Sequence, residues 1–305
     1  MDKTIKLPAP AKLNLFLHIL GRRQDGYHEL ETLFQILDRG DELEMTIADS
    51  LQLEQNPPFD IPLEENLVYQ AARLLMEQTG CSLGAHIRLH KKIPVGAGLG
   101  GGSSDAATTL LGLNHLWDLR LGIDTLTELA LSLGADVPVF VRGQSALARG
   151  IGEKLEPVEL EENWFLIVTP QIHISTAAVF SHPELIRDGK SIVGSCESRL
   201  TCVGRNSKIR ALADLGARND CQAVVEKLHP EVAVMRQALE KFGPARMSGT
   251  GSSLFLQFSD KAEAEQVLED LLAIAPIQAI KHSAFIARGV NQSAVHTMLA
   301  DCQIS

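Results

Sequence analysis

Cysteine is scarce in this 305-residue chain. Its five (Cys81, Cys196, Cys202, Cys221, Cys302) are odd in number and show no C-x-x-C spacing. That argues against a disulfide framework or a zinc site and suits a reducing, cytoplasmic setting. Long apolar runs are missing: nothing approaches the ~18 residues of a membrane helix, and Met1-Asp-Lys-Thr-Ile-Lys lacks the apolar core of a signal peptide. No membrane partner is expected. Excess positive charge is missing too. A formal net charge of −10 argues against a nucleic-acid partner and leaves any phosphate site to local residues and backbone dipoles. Low-complexity tracts are absent, and 45% hydrophobic content over this length is enough for two domains. A small molecule suits such a chain better than a polymer does.

What the chain does have is concentrated in Pro94-Val95-Gly96-Ala97-Gly98-Leu99-Gly100-Gly101-Gly102-Ser103-Ser104-Asp105. Its glycines let successive N–H groups converge on one centre, and Ser103, Ser104 and Asp105 are residues that cap a following helix. The apolar residues from Ala106 to Leu116 supply that helix, whose N-terminal dipole favours an anion. A phosphate cradle is therefore the favoured reading. Asp105 is in tension with it, because a carboxylate repels phosphate unless it turns away or a cation intervenes. Gly96 to Gly101 also satisfies G-x-G-x-x-G, but a dinucleotide loop should follow a buried strand, and residues 86–92 alternate as a half-exposed one. The Walker pattern fails for want of Gly-Lys-Ser/Thr. A flexible structural loop is the third reading.

Along the chain, residues 11–20 alternate as a strand, with Leu13, Leu15, Leu17 and Ile19 on one face and Lys12, Asn14, Phe16 and His18 on the other. Lys12 and Asn14 either project into a cleft or face solvent. Gly21 to His28 reads as a turn whose Tyr27-His28 tip either stacks on a planar base or packs on the sheet. Further strands are expected at 33–37, 42–47 and about 51–54. Asn66 should cap a helix ending at Gly80, a strand at 84–91 leads into the glycine loop, and a helix spans about 124–133. Asp136 then stands among apolar neighbours, where a carboxylate needs a cation or donor to stay charged; Lys12 is one candidate partner, and a plain turn cap at Pro138 is the alternative. Strands at 144–149 and 164–169 flank the acidic run from Glu159 to Glu162, which marks a boundary between domains 1–160 and 161–305. The second half reads as helices near 175–186, 219–228, 231–242 and 260–273, a hairpin through 247–258 and a strand at 279–287. This is an α+β layout of antiparallel or mixed sheets with helices. Ser248 to Ser253 is either a tight turn or part of the cleft. The basic run Arg199, Arg205, Lys208, Arg210 and Arg218 either faces a phosphorylated ligand or, the favoured reading, is a solvated helix face.

In this order, the Pro-Ala-Lys-Leu-Asn strand, the Pro-Val-Gly-Ala-Gly-Leu-Gly-Gly-Gly-Ser-Ser loop and the late Ser-Gly-Thr-Gly-Ser-Ser turn resemble the GHMP kinase superfamily over nearly the whole chain. Ala11-Lys-Leu-Asn14-Leu, Asp25-Gly-Tyr-His28-Glu-Leu and Gly134-Ala-Asp136-Val-Pro-Val-Phe140 are similar to its 4-diphosphocytidyl-2-C-methyl-D-erythritol kinase family. The resemblance implies a two-domain fold with the active site in the cleft between domains. It also implies ATP-dependent phosphorylation of the 2-hydroxyl of a cytidine diphosphate-linked methylerythritol in the non-mevalonate route to isoprenoids. Lys12 and Asp136 would be the catalytic pair, residues 94–104 would hold the ATP phosphates with Mg²⁺, touched by Ser103 or Ser104, and Asn66 and Lys91 would be further nucleotide contacts. Tyr27, His28 and Phe180 would hold the cytosine and Asn14 the polyol. That family often carries Asn where this chain has Asp105, which puts any adenine contact there in question. Monomer and homodimer both stay open. A kinase of another small alcohol such as mevalonate or homoserine, a nicotinamide-dependent oxidoreductase and a non-catalytic phosphate-binding module are the competing readings.

Overall fold

Two long strands, β1 (Thr4–Arg22) and β2 (His28–Ala48), pair antiparallel along nearly their whole length. In the computed structural model, which describes residues 4–58, 61–189, 191–192 and 216–302, they form the spine of a ten-stranded sheet. One end of β2 carries β4 (Gly84–His90), with β3 (Gln52–Asn56) parallel beyond it. The other end carries β5 (Ala146–Gly150) and then β6 (Lys154–Pro157). β7 (Trp164–Pro170), β8 (Arg246–Met247) and β9 (Leu254–Phe258) form the second half with β10 (His282–Val290). β10 joins the halves, pairing with β7 over most of its length and with β2 through Gly289 and Val290.

The first half carries α1 (Leu67–Thr79), α2 (Gly101–Leu116), α3 (Ile123–Leu133) and α4 (Val137–Arg142). The second carries α5 (Thr176–Ser181), α6 (Gln222–Leu228), α7 (Pro230–Leu239), α8 (Lys261–Leu272) and the short α9 (Ala275–Gln278), while α10 (Ala294–Cys302) packs back on β1 and α2 of the first. One core packs α1 to α4 against the sheet around Leu7, Met45 and Leu110. A second lies beneath α6, α7 and α8 around Leu166, Met235 and Leu254. Between them Leu13, Phe165 and Phe255 form a third, so the halves share apolar surface behind the cleft.

Local signals set several boundaries as expected. Asn66 Oδ1 accepts from Val68 N to cap α1, and Gly80 closes that helix in the left-handed conformation. Elsewhere the fold departs from the sequence pattern. Over residues 9–19 β1 has no solvent side: Lys12, Asn14, Phe16 and His18 are all buried. The runs at 33–37 and 42–47 are one strand. α5 stops at Ser181 rather than 186, because His182 precedes a proline and adopts extended backbone. α6 begins at Gln222 because Asn219 Oδ1 takes the Cys221 N–H in a turn. The last strand runs from His282 to Val290, three residues later than 279–287 at each end, since its pairing with β2 carries it on. α9 and α10 are not expected from the sequence pattern. The expected boundary at 160/161 falls between β6 and β7, yet Val290 and Val295, near the end of the chain, return to the first core. Of the basic run, Arg218 is described and pairs with Asp220 at 2.6 Å; the other four residues lie outside the described segments.

Candidate active site

The glycine loop lies against β1 because Lys12 N donates to Leu99 O at 3.0 Å. α2 starts earlier than its hydroxyls suggested. Gly100, with φ +71°, is the N-cap, and Ser103 and Ser104 lie inside the first turn. Two glycines here are obligatory. A Cβ on Gly98 would sit 2.2 Å from Ser248 O, and one on Gly100 would meet the Phe140 ring at 2.8 Å. Ser104 N is the first amide of the helix to bond back, to Gly100 O. The amides of Gly101, Gly102 and Ser103, with no hydrogen-bond partner among the described residues, are left as the open donors of a 16-residue helix at the cavity wall.

Lys12 and Asn14 occupy the stretch of β1 between two register shifts, Pro10/Lys12 and Asn14/Leu17. Such bulges re-aim side chains. Lys12 Nζ donates to Asn14 Oδ1 at 2.5 Å and Gly98 O at 3.2 Å, and pairs with Asp136 Oδ2 at 3.2 Å. It also lies 5.3 Å from the centre of the Phe34 ring. Asp136 differs from its expected setting. Its helical neighbours Val137 to Val141 are buried, but its own side chain is 36% exposed at the cavity wall. It stands at the N-cap of α4 without making a capping hydrogen bond, so the turn-cap alternative fails. Its sole ion-pair partner among the described residues is Lys12.

The turn from Ser248 to Ser253 is both of the things it was expected to be one of. It closes the β8–β9 hairpin, and it lines the cavity through Gly249 and Thr250. Ser248 Oγ accepts from Asn14 N at 3.1 Å and donates to Gly98 O at 2.8 Å, tying strand, loop and turn together. Thr32, which sequence reasoning passed over, accepts from Asn14 Nδ2 at 2.8 Å and donates to Phe16 O. An alternating strand residue gave no sign of that role.

The tension at Asp105 is relieved by Lys91. Its ammonium bridges Asp41 and Asp105, the latter at 2.8 Å, and Asp41 Oδ1 also accepts from Lys92 N and Ile93 N. Burial works against the Lys91 charge, but Asp105 and Asp41 overcome it and raise its pKa. Burial pushes Asp105 up to about 7 in spite of Lys91. Lys91 thus reaches the cavity wall already engaged by two carboxylates. Asn66 lines the same wall while its Oδ1 is committed to α1. Asp105 Oδ1 and Ser104 Oγ are buried without a hydrogen-bond partner among the described residues.

The cavity, about 570 Å³, runs from Leu67, Leu89 and Lys91 past the loop and Lys12 to Leu30, Thr176 and Phe180. At its far end Phe180 stands on the wall, and the His28 ring, itself just outside the lining residues, stacks on it with centroids 5.1 Å apart and planes inclined by 27°. Tyr27 does not join them: it is 61% exposed at the tip of the turn and absent from the cavity wall. Arg187, also missed, donates to His28 Nε2 at 3.2 Å. Burial, Arg187 and Arg22 hold the His28 imidazole below its ordinary pKa of 6.5.

A helix N-terminus beside a buried lysine and a half-exposed carboxylate can hold an anion and move a proton at its edge. Residues 66–144 match the family model described as the N-terminal domain of GHMP kinases, and residues 198–276 the model for their C-terminal domain. A 4-diphosphocytidyl-2-C-methyl-D-erythritol kinase of Ectopseudomonas mendocina is 51% identical over 294 residues, which cover 96% of this chain and 94% of that protein. A crystal structure of 4-(cytidine 5'-diphospho)-2C-methyl-D-erythritol kinase superimposes with a TM-score of 0.72 at 34% identity, covering 94% of this chain and 100% of that one. Homoserine kinase from Cytophaga hutchinsonii shares the fold alone, with a TM-score of 0.69 at 17% identity over 96% of each chain. With this cavity, both domain matches and such identity over nearly its whole length, the chain belongs to the 4-diphosphocytidyl-2-C-methyl-D-erythritol kinase family of the GHMP kinases.

Proposed function

We propose that this chain transfers the γ-phosphoryl group of ATP to the 2-hydroxyl of 4-diphosphocytidyl-2-C-methyl-D-erythritol, in the non-mevalonate route to isoprenoids. The observation that carries this reading, in a member of that kinase family, is the Lys12–Asp136 pair at 3.2 Å, with the Lys12 ammonium also on Gly98 O of the glycine loop. The free amides of Gly101, Gly102 and Ser103 and the α2 dipole hold the ATP phosphates. Asp136 has carboxylate surface open to the cavity and accepts the proton of the attacking hydroxyl. The new O–P bond forms as the bond to the ADP leaving oxygen breaks. Lys12 offsets the charge on the transferring group.

Among the described residues no cluster of three His, Cys, Asp or Glu side chains is arranged for a metal. Mg²⁺ needs no such cluster, since it takes one or two protein oxygens beside phosphate oxygens and water. The Ser103 hydroxyl and the Asp136 carboxylate on the cavity wall are hard donors of that kind. Bound there, Mg²⁺ would supply neutralisation of phosphate charge. Asn66 and Lys91 border the nucleotide end, Phe180 and His28 receive the cytosine, and Asn14 faces the polyol. Tyr27 would have to swing inward from its exposed position to cover the base.

No helix among the described residues is long and apolar enough to cross a membrane, and we assign the reaction to the cytoplasm. The test is ADP release with ATP and Mg²⁺ across candidate alcohols. Turnover is expected with the cytidine diphosphate substrate and not with mevalonate or homoserine. Asp136→Asn and Lys12→Ala should cripple turnover while ATP binding persists. Wild-type-like turnover in Asp136→Asn would sink the assignment of the base.

A further inference from the structure

We propose that Arg187 is a positioning residue that fixes the tautomer of His28, so that the imidazole meets the nucleobase as a neutral ring donating from Nδ1. The role in base recognition rests on the assignment of the Phe180 end to the cytidine base; the tautomer itself does not.

The guanidinium of Arg187 is spent on one small region. Its Nη2 donates to Phe180 O at 2.9 Å and His182 O at 2.8 Å, its Nη1 to Leu185 O at 3.1 Å, and its Nε to His28 Nε2 at 3.2 Å. No carboxylate pairs with it among the described residues. Three of these bonds stitch the end of α5 and the segment after it; the fourth reaches across to the start of β2. The aromatic wall of the cavity and the imidazole stacked on it are thus held by a single side chain.

Chemistry then decides the proton. A guanidinium has donors and no acceptor, so the His28 Nε2 facing it must present a lone pair. A neutral imidazole with a bare Nε2 carries its proton on Nδ1. Nδ1 has no protein partner among the described residues, which leaves this N–H to a ligand. The charged groups acting on the ring are Arg187, from beyond α5, and Arg22, its cross-strand neighbour on β1. Both are cations, and with burial they oppose a second proton. A donor-only contact of this kind suits an acceptor such as the cytosine O2 carbonyl oxygen or the ring nitrogen N3, and repels an amino group.

The tautomer is read directly in the wild-type protein from imidazole ¹⁵N shifts, with the His28 signal identified by its loss in His28→Gln. The expected spectrum has Nε2 unprotonated and Nδ1 protonated from pH 8 down to pH 6. A proton on Nε2 in that range overturns the proposal. Arg187→Met should let His28 titrate closer to 6.5. It should raise KM for the cytidine substrate about tenfold at pH 8 and further below pH 6.5, with kcat nearly unchanged. Arg187→Lys keeps a donor for Nε2 and should recover the tautomer and part of the KM. A fall in kcat at constant KM, or a KM in Arg187→Met that matches wild type across pH, overturns the positioning role. If the wild-type spectrum is as expected but the wild type fails to phosphorylate the cytidine substrate, the functional assignment has failed and the role in base recognition with it.

Discussion

Lys12 and Lys91 lie against the same glycine loop, yet their carboxylate partners live in opposite surroundings. Asp136, the partner of Lys12, is 36% exposed and makes no other ion pair among the described residues. The partners of Lys91, Asp41 and Asp105, have side chains 0% and 3% exposed, and Asp41 is further bound by two backbone amides. A carboxylate with open lone pairs beside a cavity can exchange a proton with a ligand; one whose oxygens are both engaged and buried, as those of Asp41 are, can only hold the fold. Burial and saturation therefore separate a reacting pair from a structural one, though both are lysine–aspartate contacts within a few ångströms of the loop.

This contrast can be broken by mutation. Asp136→Asn should cut turnover by about 10²–10⁴-fold, the range for loss of a general base, while lowering the thermal midpoint less than a fully buried pair would, because Asp136 is partly exposed and the buried Lys12 keeps its bonds to Asn14 and Gly98. Steady-state ADP release and a melting curve on the same preparation check both halves. Asp41→Asn should do the reverse. Unpairing a buried ion costs about 3–5 kcal/mol, read as a drop in the denaturant midpoint, with kcat of the remaining folded enzyme close to wild type. A catalytic loss in Asp41→Asn at unchanged stability would erase the distinction.

The loop that both clusters share offers a third probe. Gly98→Ala places a Cβ 2.2 Å from Ser248 O at φ +76°, so about 3 kcal/mol of stability should go. Because Gly98 also positions Lys12 and Ser248, KM for ATP should rise with it; calorimetry and initial rates report the two separately.

The smallest effect concerns pH. Asp105 binds its proton more tightly in the folded chain, at about 7, than in the unfolded one, near the ordinary 3.9. Its contribution to stability is therefore complete below the unfolded value and is lost as pH rises through about 7. Wild-type stability should decline between pH 6 and pH 8, and Asp105→Asn should flatten that slope. An unchanged slope in urea titrations at the two pH values would show that Asp105 is ionised throughout.

Much of the site was legible because its parts carry strong local chemistry. Gly98 and Gly100 are required by close approach, Asn66 and Gly80 bracket α1 by capping, and Lys12 and Asn14 sit two apart on a strand and so share a face. The misses have a common origin. Asp41 acts through partners 50 to 52 positions away, and Arg187 reaches His28 across 159; no spacing rule connects residues so far apart. Ser103 and Ser104 looked like caps because hydroxyls before an apolar run usually are, but Gly100 takes that place, its left-handed backbone already turning the chain into the helix.

By itself the sequence determined the phosphate-binding backbone, since glycine spacing and helix propensity act over a few residues, and the identity of the two groups that face it. Only the tertiary structure decided their states. It buried Lys12 and left Asp136 open, reversing the burial expected for that carboxylate. It resolved the clash at Asp105 by bringing Lys91 between two acids. It turned His28 into a donor by setting Arg187 against its Nε2. Burial, pairing and tautomer depend on what surrounds a group in space, and the long-range pairing of β1, β2 and β10 is what assembles those surroundings.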